Sequence, residues 1–386
     1  MWFLQTDTLL FLILLCAGFG LVSCAVRALY PKFLRLLPLA ELAFLLYVSV
    51  GFTVFYVGYI LLTWGFILLL RHVVKWRKAI FGLLCAGCIL PLMYSRFSEE
   101  LQLPMYGVAM LGMAYNMLKA IDVLYYEYFT GEKAQFEVYC NYMLFLPVLT
   151  AGPVFRYRDF LRTWTRPAVL TLDRFTEGVK RIIRGLFSKV VLSALALQLL
   201  EKLTVDTVVW YESIFIPAVS LAVLYFDMSG YASIAIGMGS IMGIQVPENF
   251  KQPFQCASFT QFWRNWHVTV SDWIREHVYI LFQKTRLTKW QGAAISMAVM
   301  VLMGLWHDFT LLYLVDGVIL GAFLAVEAIF NLGTVNKRKV SVWNYRLRCF
   351  AVTYLFAINS MIFTLTTDQI VQVFRGLLTI AGGLGQ

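Results

Sequence analysis

The sequence predicts an all-α polytopic membrane protein, with about ten to twelve transmembrane or re-entrant helices arranged around a central funnel, and three observations predict it. Of 386 residues, 60% are hydrophobic and only 14% charged, whereas soluble domains carry about 25% charged residues. Apolar runs near spanning length recur along the whole chain. Between them, lysine and arginine gather in some connections and acids in others, the pattern left by a chain threaded through a bilayer. A water-soluble enzyme, a disordered chain and a repeat solenoid are excluded. No linker or internal repeat interrupts the series, so residues 1–386 read as one integral membrane domain.

Taken in order, residues 8–26 form an apolar run without a basic leader or a small-residue cleavage site, which predicts a retained first helix. Further runs follow at 38–51, 53–70, 79–95, 104–124, 139–154, 183–200, 213–226, 230–246, 291–306, 309–330 and 349–366. Several are shorter than a bilayer crossing. Broken or re-entrant pieces are tolerated at membrane depth only where protein or a water-filled cavity surrounds them, hence the expected funnel. Arg27, Lys32 and Arg35, then Arg71, Lys75, Arg77 and Lys78, then Lys337, Arg338, Lys339, Arg346 and Arg348 mark cytoplasmic connections, while Glu99, Glu100, Asp206 and Glu212 mark the opposite side. Counting spans between the two sets puts the N-terminus outside.

The net charge is +10. Residues 156–202 hold ten basic against four acidic residues, a net +6 that suits either anionic headgroups or an acidic protein partner. Seven scattered cysteines suggest neither a disulfide framework nor a thiolate metal site. No HExxH, zinc-ligand spacing, GxSxG elbow or Walker loop occurs, which sets aside metalloprotease, hydrolase and ATP-driven pump chemistry.

Four histidines can be weighed singly. His72 sits among basic residues at a helix end and reads as interfacial. His307 closes an apolar span in Gly304-Leu305-Trp306-His307-Asp308, where an ionisable group is costly unless it faces a cavity or a partner. Imidazole can take a proton from a hydroxyl and return it near neutral pH. The densest polar cluster runs from Phe262 to His277. On one helix, Arg264, His267, Ser271 and Arg275 would form a polar stripe, and Trp263, Trp266, Val270 and Ile274 an apolar one. Its tryptophans would suit a membrane-surface helix. His277 reads as a structural residue. Asp227, between two apolar runs, would line a polar path or cap the following helix.

Five motifs in fixed order carry a family resemblance: Ala151-Gly152-Pro153-Val154-Phe155-Arg156-Tyr157-Arg158-Asp159-Phe160, Phe226-Asp227-Met228-Ser229-Gly230-Tyr231, Pro247-Glu248-Asn249-Phe250, Phe262-Trp263-Arg264-Asn265-Trp266-His267 and Trp306-His307. Across about residues 105–330 the chain resembles the membrane-bound O-acyltransferases, in their bacterial branch. The resemblance implies the fold of that family, His307 as the catalytic histidine and His267 as a second functional histidine. It implies a bacterial inner-membrane enzyme with no bound cofactor or metal. The donor would be the phosphopantetheine thioester of an acidic cytoplasmic acyl carrier protein, and the acceptor a hydroxyl of a cell-envelope polymer. Membrane lipids and a small accessory membrane protein would be further partners, and nucleic acid would not.

Within that branch the chain leans toward the members that D-alanylate teichoic acids, since it ends 79 residues after His307 and reads Ile-Leu-Phe-Gln-Lys after Tyr279, where O-acetylases of alginate type carry a Pro-Leu-Gly-Gly turn. The Gly-Pro-Val-Phe-Arg-Tyr-Arg-Asp-Phe stretch leans toward O-acetylation of an exopolysaccharide. Asp308 stands where many relatives have glycine. On the implied mechanism His307 acts as general base, and Trp306, His267 or Asn249 supplies the oxyanion donor. Trp263, Arg264, Ser271, Asp272 and Arg275 would line the donor tunnel or, through charge pairs, order their helix. The rivals are a transporter or flippase, which should show paired halves with matching broken helices, and a non-catalytic scaffold.

Overall fold

The computed structural model describes residues 6–25, 30–98, 112–278 and 287–383, and among these there is no strand. In chain order the helices are α1 (Thr6–Ala25), α2 (Tyr30–Leu34), α3 (Leu37–Val48), α4 (Val50–His72), α5 (Arg77–Ser98), α6 (Met113–Thr130), α7 (Phe136–Leu144), α8 (Tyr157–Thr165), α9 (Leu172–Leu186), α10 (Ser193–Thr204), α11 (Trp210–Ile241), α12 (Phe259–Trp263), α13 (Val268–His277), α14 (Lys289–His307), α15 (Leu311–Phe330), α16 (Val342–Ser360) and α17 (Thr367–Gly383). Six helical stretches among the described residues are long and apolar enough to cross a membrane: Val50–His72, Arg77–Ser95, Leu172–Thr204, Trp210–Ile241, Leu311–Phe330 and Val342–Phe363. The all-α polytopic expectation holds. Contacts divide the chain into two compact units, one of residues 1–183 with 233–247, the other of residues 184–232 with 248–386.

In the first unit, the apolar run at 139–154 does not form a span. Helix α7 stops at Leu144, a 3-10 turn covers Leu146–Val148, and the chain then runs without regular structure to α8. Pro147 and Pro153 cannot donate to a helix ladder, and Gly152 adopts φ +98°. Buried polar groups take over the freed backbone. Glu41 accepts Leu146 N–H at 2.9 Å, Asn116 Nδ2 donates to Leu149 O at 2.8 Å, Lys119 Nζ donates to Tyr142 O at 3.2 Å, and Tyr142 Oη donates to Phe155 O at 2.7 Å. Asp122 receives the N–H of Tyr157. The span expected at 104–124 begins as helix only at Met113; residues 104–111, like Glu99 and Glu100, lie outside the described residues.

Two further expectations are corrected. The runs at 213–226 and 230–246 are one helix, α11, and Asp227 neither breaks nor caps it. A buried lysine explains why: Lys189 Nζ forms an ion pair with Asp227, which satisfies the carboxylate mid-helix. The merger removes one crossing from the expected count and the loss of the 139–154 span removes another, so the parity of that count is unchanged. Helices α14 and α15 form a hairpin closed by small residues. A Cβ on Gly304 would collide with the Tyr313 carbonyl, one on Gly317 would lie 2.5 Å from Met300 O, and one on Gly321 2.6 Å from Met297 Sδ. Such glycines let helix backbones approach closely within a bilayer. Gly317 and Gly321 therefore fix the register of α15 against α14, and with it the place of His307 at the end of α14.

Candidate functional site

The segment from Phe262 to His277 is not one amphipathic helix. It is α12 and α13 with a break at residues 264–267, where His267 takes the left-handed conformation at φ 45°. A histidine costs more there than glycine would, so neighbours must hold it. Asn249 and Lys251 supply the hold through backbone pairs, Val268 N–H to Asn249 O and Lys251 N–H to Asn265 O, both 2.9 Å. The expected surface anchor is also absent, because Trp266 and Trp273 are buried. Trp266 packs against Phe250, Phe262 and Phe356 in an aromatic core.

The tautomer of His267 follows from its partners. Asn249 Oδ1 receives the Thr269 hydroxyl at 2.8 Å and the Thr269 backbone N–H at 3.4 Å; since an N–H can only donate, the side-chain oxygen of Asn249 is the atom facing this cluster. His267 Nδ1, 3.1 Å from the same oxygen, must then carry a proton, which leaves Nε2 as the acceptor nitrogen. Burial pushes the imidazole pKa down to about 3, and the neighbouring His307 adds to the shift. His267 is thus a neutral base with a fixed orientation. A neutral imidazole of this tautomer has no Nε2–H to offer an oxyanion, and Asn249 stands behind it as its orienter.

His307 ends α14, half-buried, with its ring 5.0 Å from Phe363 and 6.1 Å from Tyr313, and Trp306 beside it at 4.9 Å. The following Asp308 turns extended and accepts the N–H of Phe309 at 2.9 Å. The structure therefore gathers His267 and His307 as electrostatic neighbours, with Trp306 alongside.

A second gathering lies on a cavity of about 740 Å³, whose wall includes Trp263, Arg264, Ser271, Asp272 and Arg275. The cavity follows α14 from Gly292 to Met303, about 16 Å at 1.5 Å per residue, and Met303 is one turn short of His307. His267, His307, Trp306 and Asn249 are not among its lining residues. The indole N–H of Trp263 is buried and makes no hydrogen bond among the described residues. Ser271 Oγ donates to Trp263 O at 2.8 Å, so it holds the break, and Arg275 pairs with Asp272 at 2.7 Å with its side chain largely exposed. His277 stacks on Trp273 at 4.1 Å and bonds Trp273 O at 2.8 Å, a local structural role. His72 Nδ1 lies 2.8 Å from Leu68 O at the exposed end of α4.

Sequence reasoning passed over Glu327. Its carboxylate, from α15, accepts Phe259 N–H at 2.6 Å, Thr260 N–H at 2.8 Å and the Thr260 hydroxyl at 2.7 Å, and so caps α12 and fixes the wall that carries Trp263. A lone acid inside the apolar run Ala322-Phe323-Leu324-Ala325-Val326-Glu327 was the available signal.

The profile of the membrane-bound O-acyltransferase family matches residues 130–364 of this chain. The chain is 36% identical over 200 residues to a probable alginate O-acetylase of Pseudomonas fluorescens, covering 51% of this chain and 40% of that protein. It is 27% identical over 282 residues to a teichoic acid D-alanyltransferase of Bacillus subtilis, covering 66% of this chain and 70% of that protein. A peptidoglycan O-acetyltransferase of Helicobacter pylori is 24% identical over 250 residues, covering 63% and 47%. The match thus spans well under two thirds of the alginate O-acetylases it resembles.

Proposed function

Because the chain belongs to the membrane-bound O-acyltransferase family, we propose that it is a membrane-bound O-acyltransferase which moves a short acyl group from a carrier-protein thioester to a hydroxyl of a cell-envelope polymer, with His307 as general base. The observation that carries this reading is the placing of His307, half-exposed at the end of α14, beside His267, whose Nδ1 is committed to Asn249. The acceptor hydroxyl gives its proton to His307 as its oxygen attacks the thioester carbonyl. The tetrahedral oxyanion then collapses, the carbon–sulfur bond breaks, and the pantetheine sulfur leaves with the proton that His307 returns. Trp306 remains the oxyanion donor of choice, since neutral His267 lacks an Nε2–H and Asn249 is committed to His267.

The cavity along α14 serves as the donor channel in this reading. Its run of about 16 Å along α14 suits an extended pantetheine arm, and Arg264, Asp272, Arg275 and Glu327 line it with charges of both signs. The carrier is the acidic cytoplasmic acyl carrier protein, and a small accessory membrane protein is a further partner. No cofactor resides in the protein. The chain would lie in the bacterial inner membrane with its basic connections on the carrier's side and its N-terminus outside.

D-alanyl is the proposed acyl group. Its support is that the match to the D-alanyltransferase extends over 70% of that protein, so the likeness involves most of both chains. O-acetylation of an exopolysaccharide is the second reading, favoured by the higher identity to the alginate O-acetylase. Membranes holding the protein should be offered carrier loaded with radiolabelled D-alanine or acetate. Transfer of one label to polymer, abolished by His307→Ala at normal expression, supports the reading; transfer that survives His307→Ala, or none with either donor, overturns it.

A further inference from the structure

Helix α9 carries a second recognisable surface, outside the acyl-transfer site. The continuous helix Leu172–Thr204 has 33 residues, with a π turn at Phe187–Leu192. Its two parts differ in composition: Arg174, Lys180, Arg181 and Arg184 all lie in the first thirteen residues, whereas the stretch after the π turn is mostly apolar, so the first part, α9, emerges from the hydrocarbon.

On a helical wheel of about 100° per residue the emerging end divides into three faces. Gly178 and Ile182 form the packing face, pressed on Gly237 and Ile241 of α11, where a Cβ at Gly178 would lie 2.8 Å from Ile241 and 3.1 Å from Gly237 O. A second face is basic and polar, with Arg174, Lys180, Arg181 and Arg184 around Asp173 and Glu177. The third is apolar and left uncovered: Leu172 is 79% exposed, Phe175 41% and Ile183 60%, with Phe187 continuing the ridge. Glycine packing has thus taken the place where an ordinary amphipathic helix would bury its apolar stripe. Of the acids here, Glu177 is already paired with Lys180 at 2.8 Å.

An acidic protein docked on the basic arc would leave that ridge in water. A leaflet of anionic phospholipid satisfies both faces together, apolar residues in the acyl boundary and cations among phosphates. We propose that α9 lies at the membrane surface as a binding site for anionic phospholipid headgroups, and that this, not carrier docking, is the role of the basic segment.

The full chain should be reconstituted in nanodiscs of phosphatidylcholine alone or mixed with phosphatidylglycerol. A photoactivatable benzophenone side chain in place of Ile183 should cross-link to phospholipid. Native mass spectrometry should show phosphatidylglycerol retained over phosphatidylcholine, with the preference falling as salt rises. Near an anionic surface each cation is worth roughly a factor of five in affinity, so the combined variant R174Q/K180Q/R181Q should lower the preference by at least about tenfold. A wild-type chain without preference, or a triple variant that keeps it, overturns the assignment. So does a triple variant that loses binding of purified acidic carrier protein while its lipid retention is unchanged. If the variant expresses poorly, the salt series on wild-type protein still decides: a preference that salt leaves untouched overturns the assignment.

Discussion

Both compact units bury polar and ionisable side chains in apolar surroundings, yet they use them differently. In the first, Glu41, Asn116, Lys119, Asp122 and Tyr142 are nearly inaccessible and each is bonded to the backbone of residues 142–157. They stand in for a helix ladder that two prolines prevent. In the second, His267 and Asn249 are equally buried, but His307 is half-exposed and a cavity of about 740 Å³ runs along its helix. Burial of charge therefore does not by itself mark chemistry in a membrane protein; access does. A group enclosed on every side holds the fold, and a group of the same kind with one open flank can meet a substrate.

Breaking this contrast should produce effects of very different kinds. His307→Ala should lower acyl transfer by about 10² to 10⁴ while leaving thermal stability in detergent nearly unchanged, a split measurable by parallel turnover and melting assays. Lys119→Met removes the buried donor to Tyr142 O, and leaving that carbonyl unsatisfied costs about 1–3 kcal/mol. The expected result is a large loss of folded protein, with the surviving molecules transferring acyl groups at the normal rate.

The histidine pair adds a pH test. His267 has a folded-state pKa near 3, below the ordinary 6.5, so the unfolded chain binds more protons between those values. Stability contributed by neutral His267 is present above pH 6.5 and is lost as pH falls toward 3; melting of His267→Gln should lack that part of the acid limb. Glu327→Ala should cost about 1–2 kcal/mol by leaving the Phe259 and Thr260 N–H groups at the start of α12 without their acceptor, read by melting, and should raise KM for the acyl donor because Trp263 loses its support. Smallest of all, Arg275→Ala removes an exposed ion pair worth about 0–1 kcal/mol, so its effect should be a modest KM increase at constant kcat. A clear stability loss there would instead make Arg275 a support for α13.

The candidate site was more legible than the path of the backbone. His307 stood out because an ionisable residue at the end of an apolar run needs a reason, and the structure leaves it half-exposed at the end of α14. Five predicted residues, Trp263, Arg264, Ser271, Asp272 and Arg275, do share one cavity wall. Their common helix was misread, because nothing local in Arg264-Asn265-Trp266-His267 announces a left-handed residue; the cause lies eighteen positions earlier at Asn249. Asp227 looked like a break for the same reason. Lys189, 38 positions away, neutralises it, and periodicity carries no record of so distant a partner. Glu327 was hidden because its partners are amide groups, which every sequence has everywhere.

The hairpin that ends in His307 also limits how the protein can be re-engineered. Gly304, Gly317 and Gly321 leave no room for even a methyl group between α14 and α15, so attempts to admit bulkier acyl donors by widening that seam should fail at folding. Laboratory evolution would have to carve the opposite wall instead, at Trp263 and Ile274, where side chains rather than main chain set the bore.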